Sequence, residues 1–133
     1  MGFQSVSSIQ LNKNKTKKLV ENVLITYSKL IHKIKLKQVC QQFDSSFLQD
    51  KIKVGEQLRT VEEFLKQMDI IFSALSEKQK SIIAERYIKN SGNTLDCDVL
   101  DSVDLSQSTY YREKLKAILV IAELLNIAVY EQI

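Results

Sequence analysis

Apolar positions recur with helical period along most of this chain. From residue 13 onward, Val20, Val23, Tyr27, Leu30 and Ile34 step by three and four, and Leu24 and Ile31 widen the stripe. Lysines fill the opposite face, so the pattern predicts a first amphipathic helix from about Lys13. Residues 41–50, QQFDSSFLQD, lose the period and are expected to form a linker. Val54, Leu58, Val61, Leu65, Met68, Phe72 and Leu75 then step alternately by four and three, with Phe64 and Ile71 alongside. That heptad spacing predicts a second helix over 54–72. It would pair with the first helix as an antiparallel hairpin or with its own copy, and the same pattern serves both.

Ser76 followed by Glu77 reads as a cap and an acidic first turn, opening a third helix over 77–89 that buries Ile82, Ile83 and Tyr87. Asn90-Ser91-Gly92-Asn93 breaks it. A short helix over 95–102 carries Leu95, Val99 and Leu100, and Val103 follows it. Asp104 and Leu105 form the turn, and Ser106 caps a helix over 107–125 that Asn126 ends. The tail, IAVYEQI, is expected to pack back or to form a short extended segment. Residues 1–11 are polar and Ser-rich and are expected to fray.

Composition points the same way. The 133 residues include no proline and three glycines, whereas compact β proteins need many turn residues. The expected fold is all-α, with a basic helical arm and heptad-patterned helix over 1–74 and a helix-turn-helix domain over 75–133.

The net charge of +3 conceals an asymmetry. Residues 1–40 hold eight lysines against one acid, Glu21, a surplus of seven, and the rest of the chain is acidic by four. A basic arm attracts phosphate, an acidic partner or a membrane surface, although a solvated helix face is the commoner outcome. Cys40 and Cys97 lack the spacing of zinc or redox motifs and are expected to be buried or free thiols in a reducing cytoplasm. The most apolar run, 117–125, is interrupted by Glu123 and too short to span a bilayer, so no membrane is expected. His32, the single histidine, lies beside the first apolar stripe and is expected to be structural.

The segment LSQSTYYREKLKAI (105–118) carries the functional expectation. A helix-turn-helix needs a short helix, a tight turn and a second helix whose opening turns present polar side chains to base edges. Val99, Val103 and Leu105 would be buried, with Tyr110 the first buried position of the second helix. Gln107, Ser108, Thr109, Tyr111 and Arg112 are then the expected base contacts. Glutamine suits adenine N6 and N7, and arginine suits guanine O6 and N7. Ser106, Lys114 and Lys116 are the expected phosphate contacts. A plain bundle helix with a solvated polar face fits the periodicity equally well.

LSEKQKSIIAERY followed by LSQSTYYREKLKAI resembles the promoter-reading, region-four domain of sigma factors. With IAVY near the C-terminus and the arm TKKLVENVLITYSKLIHKI, the chain more closely resembles the ArpU-type regulators of Gram-positive phages and prophages over about 16–130. That resemblance implies a sigma-like helix-turn-helix and a role in activating late phage or prophage genes. Two features depart from it. Glu113 stands where many such domains bury an apolar residue, which Tyr111 or Leu115 must replace unless the helix is rotated. Asp96, Asp98, Asp101 and Asp104 would repel phosphate, which favours a homodimer, help from the lysine arm, or recruitment beside RNA polymerase.

These aspartates do not fit a calcium loop, because Leu100 and Asp101 stand where a ligand and a turn glycine are needed. No metal site, cofactor or catalytic set is expected, and hence no enzyme. The expected function is sequence-specific binding of double-stranded DNA to regulate transcription. The rivals are a protein-interaction module that never touches DNA and a small DNA-packaging subunit.

Overall fold

The computed structural model describes residues 9–40 and 45–132. Among these the chain is largely helical, with two small antiparallel sheets. Helix α1 (Lys13–Val39) is capped by Asn12, whose side chain accepts from the Lys15 amide at 2.9 Å. A short 3-10 turn (Ser45–Gln49) follows, and residues 41–44 of the expected linker lie outside the described residues.

The hairpin that comes next corrects the helix expected over 54–72. Strand β2 (Lys51–Val54) pairs with β3 (Gln57–Thr60), Val54 standing opposite Gln57. The turn between them needs Gly55, which sits at φ +62 with Ile127 Cγ2 only 2.7 Å from where a Cβ would project. Two members of the apparent heptad seam therefore lie on strands: Val54 is buried, whereas Leu58 is 71% exposed. Helix α2 (Val61–Ser73) begins where Thr60 accepts from the Glu63 amide at 3.1 Å. Its Val61, Phe64, Met68 and Ile71 are buried, and Phe64 and Phe72 meet Tyr27 of α1 edge to face.

Helix α3 (Glu77–Ile83) opens with a full capping box, Ser76 and Gln79 each satisfying the other's backbone amide. It runs on into a wide π-turn (Ala84–Ile88), closed by the Lys89 amide donating to the Ala84 carbonyl. Helix α4 (Asp96–Ser102) is short, and α5 (Gln107–Leu125) is long. Asn126 ends α5 in the left-handed conformation, with its own amide and that of Ile127 returning to the last-turn carbonyls.

The first and last described strands pair. Strand β1 (Ile9–Leu11) pairs with β4 (Tyr130–Gln132), Leu11 opposite Tyr130. The Asn12 amide donates to the Val129 carbonyl at 2.7 Å, and buried Thr16 accepts from the Val129 amide at 2.9 Å. Residues 9–11 are thus a paired strand rather than a frayed end, and residues 1–8 lie outside the described residues. The all-α expectation is corrected to a largely α fold with two small two-stranded antiparallel sheets. The larger apolar core draws on most of the helices: Val20 and Leu24 of α1, Phe64 and Met68 of α2, Ile83 and Tyr87, and Ala117, Ile118 and Ile121 of α5 all belong to it. Side chains from both sides of residue 75 share it.

Candidate functional site

The α4–α5 unit is set by a second, smaller cluster. Ile82 of α3, Val99 of α4 and Tyr110 of α5 are fully buried against one another, with Leu100, Val103 and Leu105 packed around them. Residues 103–106 connect the two helices through a tight bend in which the Leu105 amide donates to the Val103 carbonyl at 3.0 Å, and the connection ends at Ser106, the cap of α5. The Ser106 hydroxyl oxygen accepts from the Thr109 amide at 3.3 Å and its proton goes to Thr109 Oγ1 at 2.9 Å.

One face of α5 is buried through Tyr110, Lys114, Ala117, Ile118, Ile121, Ala122 and Leu125. That spacing fixes the helix rotation. Gln107, Ser108, Tyr111 and Arg112 fall on the outward side of the first two turns. Tyr111 is 43% exposed and meets Tyr110 edge to face at 5.1 Å. Thr109 is half-buried beside the cap. Lys116 is exposed, with Glu113 at 4.0 Å.

Lys114 corrects an expectation. It is 3% exposed, and its Nζ bonds both oxygens of Asp96, at 2.9 and 3.0 Å. It is spent inside the unit and is not a free phosphate contact. Its position also answers the question of Glu113: Lys114, one residue on, fills the buried place, while Glu113 stays half-buried with Gln79 Nε2 at 3.5 Å. A lysine fits there because four methylenes line the apolar stripe while the ammonium reaches a carboxylate.

Asp96 is the hub of this arrangement. Besides Lys114 it accepts from Tyr110 Oη at 2.5 Å and from Arg86 Nε at 3.2 Å. Arg86 comes from the π-turn and also donates to the Gly92 carbonyl at 3.1 Å. Burial pushes the Asp96 carboxyl upward. The hydrogen bonds from Tyr110 and Lys114, with the charges of Lys114 and Arg86, outweigh that and hold it below its ordinary range. Burial pulls Lys114 below its ordinary value even with Asp96 beside it. Burial, then the bond to Asp96, raises the Tyr110 phenol. Asp96 is therefore not a surface acid, and the expected acidic face narrows to the exposed Asp98, Asp101 and Asp104.

Sequence reasoning missed the neighbours of Tyr111. The first two turns of α1 bring Lys13, Asn14 and Lys17 beside Tyr111, Lys114, Leu115 and Ile118, and between them lies a groove of about 270 Å³. The lysine surplus of the first forty residues was legible; its junction with α5 was not, because it depends on how α1 crosses α5. The other end of α1 stays outside the core, with Lys33 and Lys37 over the Phe47 ring and Leu36 and Val39 exposed. His32 is half-buried, its Nδ1 at 3.5 Å from Ser28 Oγ and Ser91 Oγ.

Both cysteines are free and exposed. Among the described residues no group of His, Cys, Asp and Glu side chains is arranged to hold a metal ion, and no helix is long and apolar enough to cross a membrane. Compared with protein-family models, curated proteins and solved structures, the chain finds no match.

Proposed function

We propose that this protein binds double-stranded DNA sequence-specifically through α5 and acts in transcription regulation. The supporting observation is the row Gln107, Ser108, Tyr111 and Arg112, outward-facing on the opening turns of a helix whose Tyr110 is locked into the Ile82–Val99 cluster. A reading helix needs a fixed rotation, free hydrogen-bonding groups at its start and a short supporting helix across a tight connection. Gln107 and Arg112 offer bidentate edges for adenine and guanine, and Lys116 offers a charge to phosphate. The resemblance of LSQSTYYREKLKAI to ArpU-type regulators supports the same reading and points to activation of phage or prophage genes, with a second copy of the chain and RNA polymerase as partners.

Titrating a duplex of random sequence at several salt concentrations tests it. Binding that weakens steeply and linearly on a log–log plot supports the reading. A slope near zero, or no binding at low salt, supports a protein-interaction module instead. The exposed Asp98, Asp101 and Asp104 on and after α4 favour that second reading, since they offer a basic partner a negative edge beside α5.

A further inference from the structure

We infer that the groove between the start of α1 and the outer side of α5 holds a backbone phosphate of DNA, gripped by Lys13 and Lys17 and bordered by Tyr111. The inference rests on the DNA-binding reading above and adds to it a second element, from the far end of the sequence, that grips the duplex.

Four observations carry it. Lys13 and Lys17 are one helical turn apart, so both side chains stand on the same face of α1, and both line the groove. Neither has an ion-pair partner among the described residues, whereas Lys15 between them is spent on Glu131 at 2.6 Å. Among the described residues no carboxylate lines the groove, and Lys114, which does line it, is already held by Asp96. Finally, Tyr111 belongs both to this groove and to the outward row of α5, so the groove adjoins the row assigned to base contact. Leu115 and Ile118 add apolar lining beside Lys114, which suits deoxyribose carbons next to the phosphate. Two lysines are point charges without the planar fork that reads a base, so the contact positions the duplex and carries no sequence preference.

The test uses the full chain and a fluorescent random-sequence duplex titrated over a series of salt concentrations. The variant is Lys13→Gln with Lys17→Gln. The control, Lys29→Gln with Lys35→Gln, removes equal charge from exposed positions further along the same helix. Circular dichroism and melting verify that all three proteins are folded alike. The groove variant is expected to flatten the log–log slope by about two and to weaken binding at about 0.1 M salt by up to roughly sixty-fold. The control is expected to keep the wild-type slope. A groove variant with the wild-type slope overturns the inference while leaving the DNA-binding reading intact, and so do equal losses in the two variants. Wild-type protein that fails to bind DNA at low salt overturns both. A groove variant that keeps its DNA binding and loses only binding to poly-glutamate would assign the groove to an acidic protein partner and overturn the inference.

Discussion

Lys114 of α5 grips both carboxylate oxygens of Asp96, the first residue of α4, across a sequence separation of 18. This pair, with Tyr110 and Arg86 on the same carboxylate, ties the short helix, the long helix and the π-turn into one unit. Together with the buried stripe from Tyr110 to Leu125 it holds α5 in the rotation that turns Gln107, Ser108, Tyr111 and Arg112 outward.

Removing Asp96 leaves Lys114 buried and without an ion-pair partner. Asp96→Asn is expected to destabilise the fold by about 2–4 kcal/mol, because it strands a cation that burial already disfavours. Lys114→Met should cost less, since a methionine fills the same volume without charge and Arg86 still faces Asp96. Urea unfolding of both variants checks the order, and a larger loss for Lys114→Met would refute it.

The same carboxyl makes stability depend on acid. Its folded value lies below the unfolded one, so its contribution is present above about pH 4 and is lost as pH falls through the folded value. Urea midpoints measured from pH 7 down to pH 2 should fall more steeply for wild-type protein than for Asp96→Asn. Parallel curves would remove Asp96 from the account. At the alkaline end the sign reverses. The raised Tyr110 phenol stabilises fully below about pH 10 and ceases to as pH rises further. Tyr110→Phe should therefore lose less stability above that pH than wild type.

Gly55 occupies the left-handed region at φ +62 with Ile127 against its missing side chain. Gly55→Ala is expected to cost about 1–3 kcal/mol through combined backbone strain and displacement of Ile127. A melting temperature equal to wild type would show that the hairpin yields at no cost.

Arg112 and Lys116 are expected to fail differently. Arg112→Ala should reduce the ratio of cognate to random DNA affinity, by about 1–3 kcal/mol of discrimination at one base position. Lys116→Ala should weaken binding to every sequence alike. Anisotropy titrations against both DNAs check this, and equal losses on both DNAs for both variants would refute the division.

The helix ends were the most legible features. Ser76, Ser106 and Asn126 act as caps at the expected positions because capping depends on one side chain and its nearest amides or on one backbone angle. Tyr110 as the buried tyrosine was legible as well, from its place in a stripe of period 3.6. The hairpin at 51–60 was hidden because Val54 and Leu58 happen to continue the spacing of the true helix positions that follow. Two signals contradicted that spacing: the alternation of Lys51, Ile52, Lys53 and Val54 before Gly55, and Thr60 three residues ahead of Glu63. Lys114 also falls within the Tyr110–Ala117–Ile118 stripe, but lysine is rarely buried unless paired, so its residue type points to the surface. Its partner, Asp96, is fixed only by tertiary packing, as is the meeting of Lys13 and Lys17 with Tyr111.

In vitro selection from a random duplex library tests the central claim most directly, since the library itself supplies the operator. The wild-type chain should enrich a short motif, and the Gln107→Ala, Arg112→Ala double variant, folded and still binding random DNA weakly, should not. Enrichment of no motif by the wild type, or of the same motif by the variant, would contradict the claim that α5 reads sequence through these residues.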